Sequence, residues 1–178
     1  MSEESTEIRG NTILPARREE IEFGTEDGLT LVGELALPAV RTPVATLVTL
    51  HPLPTHGGFM DSHVYRKAAN RLPELADLTI VRFNTRGTSS EAGTSTGSYD
   101  EGKLEKYDVE AMQRYVFDEL KLENVWIVGW SFGTSIAISH ARDPRIKGLI
   151  LLSPTLLDIV DGDLEFWARD GRPITALI

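Results

Sequence analysis

The sequence contains no cysteine, and this absence removes several kinds of chemistry. Disulfide bonds, thiolate metal ligands and cysteine nucleophiles are all excluded. Long apolar runs are also lacking: Met1–Glu20 has no signal-peptide core, and no other stretch reaches membrane-spanning length. These absences predict a cytoplasmic protein that has no membrane partner.

The sequence also has fewer basic than acidic residues. The 178 residues include 18 lysines and arginines against 27 aspartates and glutamates, a formal net charge of −9. Such a surface disfavours phosphate backbones, so no nucleic-acid partner is expected. Hydrophobic residues make up 41% of the chain, enough for one folded domain over residues 19–178. Residues 1–18 are too poor in apolar surface to order and predict a mobile polar tail.

Strand and helix patterns alternate along the domain. Residues 21–37, broken by the turn signal Glu26-Asp27-Gly28, predict an N-terminal antiparallel hairpin. Apolar, β-branched runs predict further strands at 44–50, 78–83, 125–128, 146–152 and 173–178. Helices are predicted between them at 62–72, 101–120, 132–141 and 164–168, and a surface loop at 86–99. This order predicts an α/β fold, a mostly parallel sheet with helices on both faces.

One strand-to-helix junction has the composition of a catalytic turn. The sequence Gly129-Trp130-Ser131-Phe132-Gly133 follows the predicted strand 125–128. A serine in such a turn is held in a strained conformation that raises its hydroxyl above the sheet. The flanking glycines remove side chains that would collide across the turn, and the next helix points its first amides at the site. Ser131 is therefore a candidate nucleophile, and the amide of Phe132 is a candidate donor to an oxyanion.

A second candidate donor follows the strand at 44–50. That strand runs into His51-Pro52-Leu53-Pro54-Thr55-His56-Gly57-Gly58. Because proline has no N–H, Leu53 supplies the only amide in the stretch 52–54, and the prolines stiffen the loop around it. We therefore predict an oxyanion hole formed by the amides of Leu53 and Phe132. The other residues expected beside the pocket are His51, His56 and Trp130.

Together these segments resemble the small bacterial α/β-hydrolases of the dienelactone-hydrolase-like kind. The resemblance rests on the His-Pro loop ending in Gly57-Gly58, on Phe83-Asn84-Thr85-Arg86-Gly87 and on the elbow around Ser131. It extends over about residues 20–178. It implies a cap-less α/β-hydrolase fold and a catalytic triad in the order Ser, then Asp or Glu, then His.

The triad partners of Ser131 are not evident in the sequence. His140 is the only histidine after Ser131, and it lies along the same helix, about 13 Å away at a rise of 1.5 Å per residue. The triad acid and base are therefore expected beyond residue 178, which makes the predicted fold C-terminally incomplete. An alternative position for the acid is given by Asp158, Asp161 and Asp163.

Three explanations are open at this stage. In the first, the chain is an N-terminal piece of a hydrolase. In the second, it is an inactive or partner-completed relative. In the third, its site uses an upstream base such as His51 or His56. A metal site is a further alternative, because four metal-capable residues lie close together: His51, His56, Asp61 and His63. Their spacing fits no zinc signature, so no metal is expected.

The sequence thus predicts hydrolysis of an ester, thioester or similar acyl bond in a small-molecule substrate, with no cofactor. A non-catalytic α/β-hydrolase-like binding protein is the alternative. Arg86 is expected to tie down the loop at 86–99 rather than to bind an anion. The last predicted strand, 173–178, is expected to form an exposed edge through which the chain self-associates.

Overall fold

Strands and helices alternate along residues 7–178, which are the residues that the computed structural model describes. The strands are β1 (Arg17–Gly24), β2 (Thr30–Leu37), β3 (Ala45–Leu50), β4 (Leu78–Phe83), β5 (Ser89–Ser90), β6 (Gly93–Thr94), β7 (Val125–Trp130), β8 (Leu149–Leu152) and β9 (Ile174–Leu177). The α-helices are α1 (His63–Ala76), α2 (Glu105–Arg114), α3 (Phe132–His140) and α4 (Asp163–Asp170). A π-helical turn, Tyr115–Glu119, continues α2.

Seven strands form one sheet in the order β1-β2-β4-β3-β7-β8-β9. The first three are antiparallel neighbours, and all later pairs are parallel. The predicted hairpin and mostly parallel sheet are therefore confirmed. From β3 the chain first moves outward to β4, whereas β7, β8 and β9 extend the sheet on the opposite side. The loops after β3 and β7 consequently diverge at neighbouring carboxyl ends, a switch point where open parallel sheets bind ligands.

Helices cover both faces of this sheet, which explains why the central strands are mostly apolar, although they also bury polar residues such as Thr49 and Arg82. Ala69 of α1 packs with Ala36 and Ile80 on one face. The helices α2, α3 and α4 contribute to the larger core cluster, with residues such as Ile136 and Trp167. Along residues 7–178 no helix combines the length and apolar character needed to cross a bilayer.

Regular structure begins before the predicted domain boundary. The predicted tail 1–18 ends inside β1, where Arg17 and Arg18 pair with Leu37 and Ala36. The two arginines point to opposite faces of the strand: Arg17 is exposed, whereas Arg18 is half-buried on the α1 face and donates to the carbonyl of Ala69 at 3.0 Å. Residues 1–6 of the predicted tail lie outside the described residues.

The polar composition of segment 86–99 predicts a surface loop, and most of its residues are indeed exposed or half-buried. The loop is nevertheless anchored to the fold by buried residues. Arg86 and Ser95 are both buried. The amide and the guanidinium of Arg86 donate to Asp108 of α2, and the guanidinium also reaches Asp27 in the hairpin turn at 2.9 Å. Although burial opposes its charge, these carboxylates raise the pKa of Arg86. Arg86 thus ties the loop down, in agreement with the role predicted for it.

Replacing Asp108 tests this buried ion pair. Asp108→Asn should lower the free energy of unfolding by about 3 kcal/mol, because the buried guanidinium of Arg86 loses its main counter-charge. Denaturant unfolding followed by circular dichroism measures the loss. The control, Asp118→Asn, removes a partner of the half-exposed Arg145 and should cost less than about 1 kcal/mol. Equal losses for the two variants would contradict the assignment.

The outer strand β9 is the strand through which self-association is predicted, and this self-association stays a prediction. All of its side chains are exposed. The amides of Leu149 and Ser153 donate to the carbonyls of Pro173 and Leu177, so the N–H of Ala176 points to the open edge. Ala176→Pro removes that N–H and should lower the dimer fraction in sedimentation velocity at high concentration. A wild-type chain that stays monomeric would refute the prediction.

Candidate active site

The turn between β7 and α3 holds Ser131 in a conformation that few residues other than glycine adopt. Its φ is 52° and its ψ is −118°. The surroundings allow no alternative: a Cβ on Gly129 would lie 2.6 Å from the carbonyl oxygen of Gly133. A Cβ on Gly133 would lie 2.0 Å from the carbonyl oxygen of Leu50. The two glycines therefore let α3 pack directly against the end of β3, and this packing imposes the strain at the serine.

The loop after β3 is a tight turn around Leu53. The Leu53 carbonyl accepts from the amides of His56, at 3.1 Å, and Gly58, at 3.0 Å. Within residues 7–178, neither the Leu53 amide nor the Phe132 amide donates to a protein acceptor. These two amides follow the carboxyl ends of adjacent parallel strands, β3 and β7. Both are thus available to a negatively charged oxygen bound at the switch point.

His51 lies beneath this loop and does not border the cleft, contrary to the prediction for it. Its Nε2 accepts from the Thr85 amide at 3.1 Å, and its Nδ1 donates to the Pro52 carbonyl at 2.7 Å. Burial lowers the pKa of His51 to about 4, so the ring is neutral, as an accepting Nε2 requires. His51 therefore joins the loop after β3 to the loop after β4.

Ser131 borders a cleft of about 720 Å³ at the switch point. The cleft brings together three of the residues that were predicted beside it: Leu53, His56 and Trp130. Four further polar residues also line it, and sequence reasoning missed them in this role: Asp61, Ser62, His63 and Arg66. They lie in or just before the first turns of α1. A usable signal existed, because a helix that begins directly after the His-Pro loop must start at the same edge of the sheet.

Tyr65 of α1 was also missed. Its buried hydroxyl lies 3.0 Å from the Leu50 carbonyl and 3.1 Å from the Val128 carbonyl, near the ends of β3 and β7. Burial raises the pKa of Tyr65 well above its usual value, so the phenol keeps its proton and remains a donor. Its ring also packs edge-on against Trp130. The sequence gives no signal for this role, since a tyrosine on an apolar helix face resembles ordinary core.

Two of the residues considered as triad partners, His140 and Asp163, are engaged elsewhere. Among residues 7–178, no side chain hydrogen-bonds to the Ser131 hydroxyl. His140 contacts the Gly102 carbonyl at 2.9 Å, and Asp163 accepts from Ser139 at 2.7 Å and pairs with Arg142. The described residues also hold no group of three or more His, Cys, Asp or Glu side chains that could bind a metal ion.

A serine at a strained strand–helix turn, beside the switch point of a mostly parallel sheet, is the arrangement of an α/β-hydrolase. A family model described as alpha/beta hydrolase fold matches residues 55–172, which is more than half of the chain. The chain therefore belongs to the α/β-hydrolase fold family.

Solved structures support the same assignment. The lidless α/β serine hydrolase XC6422 of Xanthomonas campestris is 26% identical, with a TM-score of 0.69 over 94% of this chain and 85% of that one. An α/β serine hydrolase homologue of Coxiella burnetii is 24% identical, with a TM-score of 0.68 over 97% and 89%. The Pyrococcus furiosus esterase Pf2001 is 22% identical, with a TM-score of 0.63 over 80% and 52%. The last two likenesses establish the fold alone. No curated protein sequence matches the chain.

The neutral state of His51 gives stability a pH dependence. The folded pKa of about 4 lies below the ordinary value of 6.5, so this contribution is complete above pH 6.5 and is lost as the pH falls towards 4. Between about pH 7.5 and about pH 5 the loss should be about 2 kcal/mol. Urea unfolding of the wild type and of His51→Asn at both pH values measures it.

The difference between these two proteins isolates His51. Burial raises the pKa of Asp108 to about 6, which adds a term of opposite sign in the same pH range. Asp108 is present in both proteins, so its term cancels. An identical pH dependence in wild type and His51→Asn would disprove the assignment.

Proposed function

We propose that the protein is a serine hydrolase that cleaves an ester, thioester or similar acyl bond of a small molecule, with Ser131 as nucleophile. The observation that carries the proposal is the position of Ser131, held at positive φ on the wall of the cleft at the switch point. A turn this strained persists only where the surroundings impose it, and such strain is common at catalytic sites. The lidless serine hydrolase among the structural relatives supports the proposal.

The chemistry follows the geometry of the cleft. The Ser131 oxygen forms a bond to the substrate carbonyl carbon while its proton passes to a base, and the carbonyl oxygen becomes negatively charged. The amides of Leu53 and Phe132 hold that charge. The acyl bond then breaks, and the leaving alcohol or thiol takes the proton from the base. Water repeats the sequence on the acyl-serine, which releases the acid and restores Ser131.

This scheme requires a base, but within residues 7–178 no side chain hydrogen-bonds to the Ser131 hydroxyl. We assign the triad acid and base to residues outside positions 1–178. His56 and His63, which line the cleft, are the alternative base. The same lack of a bonded base favours a second candidate function, a protein that binds an acyl compound without cleaving it.

Imidazole rescue separates these possibilities. With 4-nitrophenyl acetate and no base, the chain should show only the slow hydrolysis that oxyanion stabilisation and binding alone sustain, about 10³- to 10⁴-fold over water, which does not require Ser131. Added imidazole should supply the missing base and give a faster, Ser131-dependent hydrolysis. Ser131→Ala should abolish this imidazole-stimulated rate, whereas Ser135→Ala, a buried serine one turn further along α3, should keep it. Subtracting the Ser131→Ala rate removes the reaction of imidazole itself.

Other outcomes have distinct meanings. Fast hydrolysis that is lost in His56→Asn or His63→Asn and is restored by imidazole would identify an upstream base. Imidazole-stimulated hydrolysis that is undiminished in Ser131→Ala, beyond the reaction of imidazole itself, would overturn the proposal. A complete lack of Ser131-dependent hydrolysis, with and without imidazole, would favour the binding function.

A further inference from the structure

The charges around the Ser131 cleft do not cancel. Its two side chains of fixed charge are Asp61 and Arg66. The Asp61 carboxylate is already paired with the guanidinium of Arg82, whose side chain is only 4% exposed. Arg66 is exposed and forms no ion pair with any of residues 7–178. The cleft beside the candidate nucleophile thus keeps one uncompensated positive charge.

Among residues 7–178, none of the carboxylates that border the adjoining cleft, which Arg66 also lines, forms an ion pair with Arg66. Glu34 is shared between Arg18 at 3.2 Å and Arg82 at 2.6 Å. Glu20 and Glu91 border the adjoining cleft but not the Ser131 cleft. His63 stands three residues before Arg66 on α1 and lines the same cleft. The first amides of that helix add partial positive charge in the same place. In a protein of net charge −9, an unpaired cation beside the nucleophile indicates an anionic ligand.

The rest of the cleft wall restricts the kind of anion. Leu53, Phe59 and Trp130 contribute apolar surface to its lining. Such a lining suits a short hydrocarbon segment. A guanidinium pairs with a carboxylate through two parallel N–H···O bonds, which fix direction as well as charge.

We propose that Arg66 binds a carboxylate of the substrate, so that the preferred substrate is an ester or thioester that carries a free carboxylate a short hydrocarbon segment away from the scissile carbonyl. The inference rests on the proposed function for the reaction, but binding of the carboxylate does not require Ser131. Arg66 is then a specificity residue of the cleft.

Binding to the full chain carrying Ser131→Ala tests the proposal without catalysis. Calorimetric titration should show that monomethyl glutarate binds more tightly than the neutral dimethyl glutarate. Adding Arg66→Gln should weaken the binding of monomethyl glutarate about tenfold and leave the affinity for the dimethyl ester unchanged. The matched control is Lys67→Gln, because Lys67 is also exposed on α1 but borders only the adjoining cleft. It should change neither affinity.

Three results would overturn the assignment: equal binding of the two glutarate esters, equal losses in Arg66→Gln and Lys67→Gln, or tighter binding of butyl phosphate than of monomethyl glutarate. Because Arg66 is exposed, its replacement should leave the circular dichroism spectrum unchanged.

Kinetic measurements distinguish the failure of one proposal from the failure of the other. With imidazole present, the 4-nitrophenyl monoester of glutaric acid should be preferred over 4-nitrophenyl butyrate, and Arg66→Gln should remove about tenfold of that preference. Imidazole-stimulated hydrolysis that is undiminished in Ser131→Ala contradicts the proposed function and leaves the binding result intact. Ser131-dependent hydrolysis without any preference for the carboxylate overturns only the role of Arg66.

Discussion

The close approach of α3 to the end of β3 is the constraint on which the site depends. Only glycine at position 133 lets the helix backbone lie against the Leu50 carbonyl, where a Cβ would come within 2.0 Å. Because the helix starts there, the chain must turn sharply at Ser131, and within residues 7–178 the Phe132 amide has no acceptor. Strain of about 1–3 kcal/mol at such a residue persists because the packing on both sides of the turn leaves it no other conformation.

Buried hydrogen bonds then fix the three loops that meet at the switch point. Tyr65 contacts the strands that lead to Leu53 and Ser131, and His51 joins the loop after β3 to the loop after β4. Each of these polar groups is costly to bury unless it is bonded, so a shift of one loop would break bonds in the others. The two free amides are therefore held in place before any ligand arrives, as electrostatic stabilisation of an oxyanion requires.

The sequence predicted those parts of the molecule that local chemistry determines. Alternating strand and helix patterns indicated the sheet, glycine spacing indicated the elbow at Ser131, and two prolines singled out the Leu53 amide. Burial of polar residues was harder to predict: the loop containing Arg86 has a surface composition, and only partners elsewhere in the fold explain why Arg86 and Ser95 within it are buried. The positions of Tyr65 and Arg66 depend on how α1 packs across the sheet, which no local pattern encodes.

The proposed reaction separates two kinds of interaction that affect catalysis differently. In that reaction the amides of Leu53 and Phe132 would meet a full negative charge only when the carbonyl becomes tetrahedral, so they would lower the barrier and raise kcat. A carboxylate held by Arg66, as proposed, would carry the same charge in the bound substrate and in the transition state. Such a contact is uniform binding, which selects the substrate through KM without accelerating the chemical step. On these proposals, specificity in the first turns of α1 can change without disturbing the two amides, because Arg66 is exposed and takes no part in the buried bonds that position them.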